Sequence, residues 1–509
     1  MSATTTLTLT GARVIDPATG RDEIANIVVD GERIAAVGDD SAGLRLDCDG
    51  LVISPGLVDL HVHLREPGGE DAETVASGTA AAALGGFTAV CPMANTEPVA
   101  DHAAVIEQVK QLAVAAGRCD VHPVGAITQH LAGERLAELG AMAAVGVRCF
   151  SDDGIPVGSA QVLRRAMAYA RTWDAIICNH AEDPALVAGG TANEGGVAAR
   201  LGLPGRPHEA EEVMIARDLL LAEGLGARLH IPHVSTARAV ELIREAKQRG
   251  VRVTAEATPH HFTLTEDLAG DFDAVYRVNP PLRTAADVRA IRAGLAEGTL
   301  DAIATDHAPH APEHKEQEWG HAPPGMVGLE TALAVTLTEL VFPERGEPTL
   351  TLPQAVRALS TAPARSRDID GHGGPLEPGA PANLCVFDPQ AQWTVQPGVL
   401  VSRSHNTPFA GRTLRGRVVH TLLRGRFTVH DGELTDEADP DDGDGEPAVS
   451  GNLHHTGLGP VAQPPPAGPT PAEPGATASA PQASTAPAPH ASTASAPHAS
   501  IAGQERAGG

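Results

Sequence analysis

Two histidines separated by one residue stand in the run Asp59-Leu60-His61-Val62-His63-Leu64-Arg65-Glu66-Pro67-Gly68. The apolar lead-in Gly56-Leu57-Val58 reads as a buried strand. Alternation along a strand puts His61 and His63 on one face, so both imidazoles point at one place. Neutral imidazole is a common ligand for zinc and other divalent ions. Arg65 stays on that face, where a guanidinium fork suits a carboxylate. Spacing alone leaves two satisfied core histidines as an equal alternative.

Residues of the same kind recur where other apolar runs end. Asp152 and Asp153 follow Phe150-Ser151, and His180 follows Cys178-Asn179. His233 closes Leu229-His230-Ile231-Pro232-His233, and Asp306 stands in Ala304-Thr305-Asp306-His307-Ala308-Pro309-His310. Neighbours on a strand face opposite ways, so Asp152 and Asp153 cannot both point in, and the sequence does not choose between them. His230 and His233 would also face oppositely on a strand, which allows one ligand of the two. His260 and His261 stay ambiguous, with a structural role favoured. His102, His122, His208 and His430 have no such placement and read as surface or packing residues. Metal-bound water loses a proton near neutral pH, and a metal polarises a carbonyl under attack. A carboxylate beside the metal can relay the proton to a leaving nitrogen, and Asp306 is the candidate. The chemistry expected is hydrolysis of an amide-like C–N bond, or its reversal.

The elements that must position these groups follow from periodicity. Strand-like runs at 57–63, 87–92, 121–127, 145–150, 175–180, 228–233, 251–257 and 301–306 alternate with segments of helical period. The helical segments include Val99 to Ala116, Ser159 to Arg171, Glu209 to Leu221, Ala237 to Arg249 and Ala285 to Leu295. Eight βα units predict an α/β fold of the (β/α)8 TIM-barrel type over residues 55–365, with the active site at the C-terminal ends of the strands. A doubly wound sheet is the alternative, but no dinucleotide glycine fingerprint follows any strand. Residues 1–54 and 366–435 are β-rich, and we expect them to form one composite β-sandwich domain. Residues 436–509 pass from an acidic run into Pro/Ala/Ser/Thr-rich repeats without an aromatic residue, and read as a disordered tail.

Composition narrows the class. The chain has 509 residues, 42% hydrophobic and only 3% aromatic, which implies an aliphatic core. A net charge of −27 argues against nucleic-acid and anionic-membrane partners, although nine of the acids lie in residues 431–446. Six scattered cysteines without a Cys-x-x-Cys suit a reducing compartment. No apolar run reaches membrane-spanning length, and the N-terminus lacks a leader pattern. The expectation is a soluble, cytoplasmic protein.

These motifs together resemble class I dihydroorotases of the amidohydrolase superfamily. The resemblance rests on the run from Asp59 to Gly68, Met93-Ala94-Asn95-Thr96-x-Pro98, Ser151-Asp152-Asp153-Gly154 and Asn279-Pro280-Pro281-Leu282-Arg283. The runs Thr305 to His310 and Pro324 to Thr331 match as well, and the similarity covers about residues 5–430. It implies that His61, His63, His180, His233 and Asp306 bind zinc, one or two ions with two favoured, and that Asp153 bridges them. By the same resemblance Arg65, Asn95 and His310 hold the substrate carboxylate, with His63 beside them. Asn279, Pro324 and Gly325 contact the pyrimidine ring, and residues 311–323 form a lid in which Lys315 reads as solvated. The reaction implied is the interconversion of L-dihydroorotate and N-carbamoyl-L-aspartate in pyrimidine biosynthesis, by a metal-bound hydroxide with Asp306 as general acid and base. Related hydantoinases bridge their metals with a carbamylated lysine on the fourth strand, where this chain has Gly146-Val147-Arg148-Cys149-Phe150. A silent homologue serving as a scaffold is the competing class, but it would be expected to have lost ligands. Homo-oligomers and assembly with aspartate transcarbamoylase remain open partnerships.

Overall fold

Runs of β-branched and small apolar residues, buried on both faces, form eight short parallel strands, as a barrel lined inside and covered by helices outside requires. They are β1 (Leu57–Val62), β2 (Phe87–Pro92), β3 (Asp120–Val121), β4 (Cys149–Phe150), β5 (Ile176–Cys178), β6 (Arg228–Ile231), β7 (Val253–Ala257) and β8 (Ala302–Ile303). The computed structural model describes residues 6–435, so the expected tail beyond them lies outside the described residues. Parallel ladders join β1–β2–β3 and β4–β5–β6–β7–β8. Two bridges close the ring, Gly125 with Phe150 and Val62 with His307, the second reinforced by His63 N–H to His307 O at 2.8 Å.

Several strands are shorter than their apolar runs, for local reasons. Past β3 the pairing with β2 continues through His122 N and Val124 N, but Pro123 between them has no N–H to give on the β4 side. Past β8, Thr305 N donates to the Asp59 carboxylate instead of a strand neighbour, and Asp306 turns to φ +48°. The helices expected from periodicity are present as Ala103–Ala116, Ala160–Ala170, Glu209–Leu225, Ala237–Gln248 and Ala285–Glu297. The first begins four residues later than its apolar pattern suggests. Ala100 there bonds to Ala94 O and Ala126 N, which takes its backbone out of helical register. Thr236 and Thr284 cap the helices that follow them, the second in a reciprocal box with Asp287.

The flanking segments merge into a single nine-stranded sheet. Val52–Pro55 is the joint, parallel to Leu7–Asp16 on one side and antiparallel to Leu384–Thr394 on the other. This sheet has its own core of Leu9, Ile27, Ile53, Leu384, Val386 and Leu422. The core cluster that includes the barrel is mainly aliphatic, with Phe87, Phe150, Phe262, Phe387 and Phe409 its fully buried phenylalanines. All six cysteines are buried free thiols. Among the described residues no helix is long and apolar enough to cross a membrane.

Candidate active site

The strand ends bring His61, His63, Asp153, His180, His233 and Asp306 into one cluster, each no more than 6% exposed. His61 Nε2 lies 3.4 Å from both Asp153 Oδ2 and Asp306 Oδ1. His63 Nε2 is 3.2 Å from Asp306 Oδ1 and 3.5 Å from Asp153 Oδ2. His180 Nδ1 and His233 Nε2 stand 3.5 and 3.6 Å from Asp153 Oδ1, and 2.9 Å from each other. Two ligand triads emerge, His61/His63/Asp306 and His61/Asp153/His233, sharing His61.

Outer partners fix what the inner atoms present. His61 Nδ1 donates to Glu256 Oε1 at 2.9 Å, His63 Nδ1 to Asn95 Oδ1 at 2.9 Å, and His180 Nε2 to Glu182 Oε2 at 3.0 Å. In the neutral imidazoles the inward nitrogen is then a lone pair. Lone pairs and carboxylate oxygens thus face one another across a buried space, and His61 Nε2 and Asp153 Oδ1 have no hydrogen-bond partner. Only cations satisfy such a set, and the N/O donors suit a divalent metal. Protons can take the same place. Burial lowers the His61 pKa, but Asp153 and Asp306 outweigh it and hold it well above its usual value. His180 is likewise raised to about 10 against burial, by Asp153 and Glu182. Asp153 and Asp306 remain well below the usual carboxylate range despite burial, through the facing histidines. Protons and metal therefore compete for one site.

The loop backbone is strained where it turns these groups inward. Arg65, His233 and Asp306 all have positive φ, at 60°, 33° and 48°, which costs on the order of 1–3 kcal/mol each. The turn at His233 alters the strand-parity argument. The chain has left β6 by then, and His230 does not face away: its Nε2 donates to Glu256 Oε2 at 2.9 Å, on the carboxylate that holds His61. The structure separates the two aspartates. Asp152 accepts Ile127 N–H and Thr128 N–H at 2.7 and 2.9 Å, holding the neighbouring loop, while Asp153 faces the imidazoles. His261 is tied to Thr258 Oγ1 and Pro280 O, whereas His260 Nε2 is buried without a partner.

A model of the Dihydro-orotase-like family matches residues 50–239. A dihydroorotase of Streptomyces coelicolor is 51% identical over 418 residues, which are 81% of this chain and 97% of that protein. A dihydroorotase of Leifsonia xyli subsp. xyli is 53% identical over 406 residues, 79% of this chain and 91% of that protein. The chain belongs to the dihydro-orotase-like family. Among solved structures, an L-hydantoinase (dihydropyrimidinase) from Arthrobacter aurescens superposes with a TM-score of 0.75 at 26% identity, covering 84% of this chain and 97% of that one.

In this dihydro-orotase-like chain Asn95 and Arg65, two of the residues expected to grip substrate, stand beside the cluster. Asn95 reaches it through His63, which leaves its amide N–H groups for an acceptor. Arg65 donates only its Nε–H, to Pro309 O at 3.1 Å, which keeps the paired Nη groups for a fork-like hold on a carboxylate. His310 Nε2 donates to Pro324 O at 2.9 Å. Burial pushes its pKa to about 3, with Arg65 and Lys315 adding to the effect. The neutral ring then presents a lone pair at Nδ1, so holding a carboxylate requires a proton there or release of Pro324 O. Gly325, at φ +143°, is confined to glycine: a Cβ would come within 2.7 Å of His310 Nε2. Asn279 is half-buried, its segment tied to Gly325 by Gly325 N–H to Arg277 O at 2.9 Å.

Sequence reasoning missed the outer ring. Glu256 was signalled only as a lone acid in the apolar run Val253-Thr254-Ala255-Glu256-Ala257. Glu182 was signalled by nothing more than its place two residues after His180. It is fixed by Arg206 Nη1 at 2.8 Å, and burial notwithstanding its pKa is held near about 2 by His180 and Arg206. Arg283, taken as part of a motif without a role, is fully buried and donates to Ser235 Oγ, Asn193 Oδ1 and Arg206 O.

Proposed function

We propose that this chain is a zinc-dependent dihydroorotase of the cytoplasm, interconverting L-dihydroorotate and N-carbamoyl-L-aspartate. The observation that carries the reading is the pair of overlapping ligand triads sharing His61, with Arg65 and Asn95 beside them. The dihydroorotase relatives and the absence of a lysine from residues 146–150 favour it over hydantoin hydrolysis.

His61, His63, Asp153, His180, His233 and Asp306 would hold one or two zinc ions, two favoured. Bound divalent zinc supplies a lowered water pKa and polarisation of the carbonyl under attack. The protein's own residues do the rest. Arg65 and Asn95 bind the substrate carboxylate, joined by His310 once Nδ1 carries a proton, and so fix the ring in one orientation. The Asn279 side chain can accept from and donate to the ring amides, and the Pro324–Gly325 carbonyls accept from them. Hydrolysis breaks the ring C–N bond, adds hydroxyl to the carbonyl carbon and a proton to the nitrogen. The Asp306 carboxylate takes the proton from the attacking water and delivers it to that nitrogen; cyclisation runs the same steps backward. His61, foremost among the facing histidines, holds that carboxylate below its usual pKa despite burial, so it starts ionised and ready to accept.

The test is cyclisation of N-carbamoyl-L-aspartate by the purified, metal-analysed chain, beside Asp306→Asn. Turnover lost to a chelator, restored by zinc, and reduced in the variant by on the order of 10²–10⁴-fold is expected. Bound metal without turnover of either substrate would overturn the reading.

A further inference from the structure

Lys315, which the sequence suggests is a solvated lid residue, is buried at 5% exposure. It ends the helical turn Pro312–Lys315 and sends its ammonium inward. Nζ donates to Arg277 O at 3.1 Å and to Pro323 O at 2.9 Å. No carboxylate among the described residues pairs with it. A buried ammonium held only by carbonyls is costly to keep, and burial first, then Arg277, pushes its pKa down to about 7 against the pull of Asp273.

The two carbonyls have something in common. Arg277 lies two residues before Asn279, and Pro323 directly before Pro324 and Gly325. Arg277 O also accepts Gly325 N–H at 2.9 Å, and Arg277 Nη1 donates to Trp319 O at 2.7 Å. One cation therefore ties together the two segments assigned above to the substrate ring.

We propose that Lys315 is a positioning residue that sets the spacing between the Asn279 and Pro324–Gly325 segments and thereby the affinity for the cyclic substrate. It touches neither the metal ligands nor Arg65, so its removal loosens ring recognition and leaves the proton relay in place. The inference rests on the dihydroorotase reading, and wild-type turnover of L-dihydroorotate comes first: an inactive wild type overturns both. With active wild type, Lys315→Met keeps the stem but loses the donors. It is expected to raise KM for L-dihydroorotate about tenfold, with kcat within about twofold, and with metal content and Tm unchanged. Lys315→Gln, which restores N–H donors on a shorter arm, should recover part of the KM loss, and it serves as the reporter if Lys315→Met does not fold. An unchanged KM, or a fall in kcat and Tm together with no recovery in Lys315→Gln, would overturn the inference and leave the reaction assignment standing.

Discussion

Replacing Glu256 tests whether the inner ring is set by its outer partners. The carboxylate accepts from His61 Nδ1 and from His230 Nε2, both at 2.9 Å, and is fully buried. Burial would raise its pKa, but His230 and His61 outweigh that and hold it well below the usual carboxylate range. Glu256→Gln has one oxygen and one N–H₂ to meet two N–H donors. His230 can resolve the conflict, because its Nδ1 lies 2.8 Å from Thr254 Oγ1, a hydroxyl able to accept as well as donate. His230 can therefore switch tautomer and accept from the new amide. His61 has no such freedom: a proton moved to Nε2 would occupy the position facing Asp153 and Asp306. The glutamine variant therefore keeps the His61 tautomer and loses only the charge of the acceptor. A charge-assisted bond contributes ~1.5–3 kcal/mol and a neutral one ~0.5–1.5, so the difference of roughly 1–1.5 kcal/mol predicts about a tenfold loss of zinc affinity. Glu256→Ala strands two buried N–H groups at ~1–3 kcal/mol each and frees His61 to change tautomer. Its zinc affinity should fall by about 100-fold, with a measurable loss of Tm. Zinc titration against a competing chelator separates the two variants. Equal losses in both, or no loss in either, would refute the claim that Glu256 acts through the His61 tautomer.

Arg65→Lys exchanges a planar fork for a point charge, and should raise KM by about 10–100-fold with kcat changed far less; steady-state kinetics in both directions checks this. Phe150→Ala empties a fully buried ring position in β4 and should cost ~3–5 kcal/mol, read as a lower denaturant midpoint of the metal-loaded protein. Asp287 accepts from Thr284, Ala237 N and His208, which together hold its pKa below the ordinary aspartate value in spite of burial. The unfolded chain therefore binds more protons as pH falls below about 4, so this stabilisation is present above that pH and lost toward lower pH. Asp287→Ala should lower stability by about 1 kcal/mol near neutrality, and its deficit against wild type should shrink as pH drops from about 5 to about 3. A deficit that is constant with pH would show that the cap geometry matters but the charge does not.

How much was legible in the sequence follows from the range of each interaction. The short apolar run of Leu57–Val62 and the helical period of Ala237–Gln248 are local, so element types and the eight-fold alternation could be read directly. The pairing of His61 with His63 was legible for the same reason, since both lie within one strand's reach. Parity correctly left one ligand of the two, His233, but not the place of His230, because Pro232 and the left-handed turn at His233 end the strand. Asp152 and Asp153 carry identical local information; they are told apart by Ile127 and Thr128, 25 and 24 residues away along the chain. Glu256 binds His61 across 195 residues, and Lys315 finds Arg277 and Pro323 only when the segment 312–323 folds onto the loop before Asn279. Sequence by itself determined which residues could do chemistry and on what kind of element they stand. Tertiary structure alone decided which nitrogen of each imidazole faces inward and which charges are buried together, because hydrogen bonds reach only about 3 Å and those distances exist only once the ring of strands has closed.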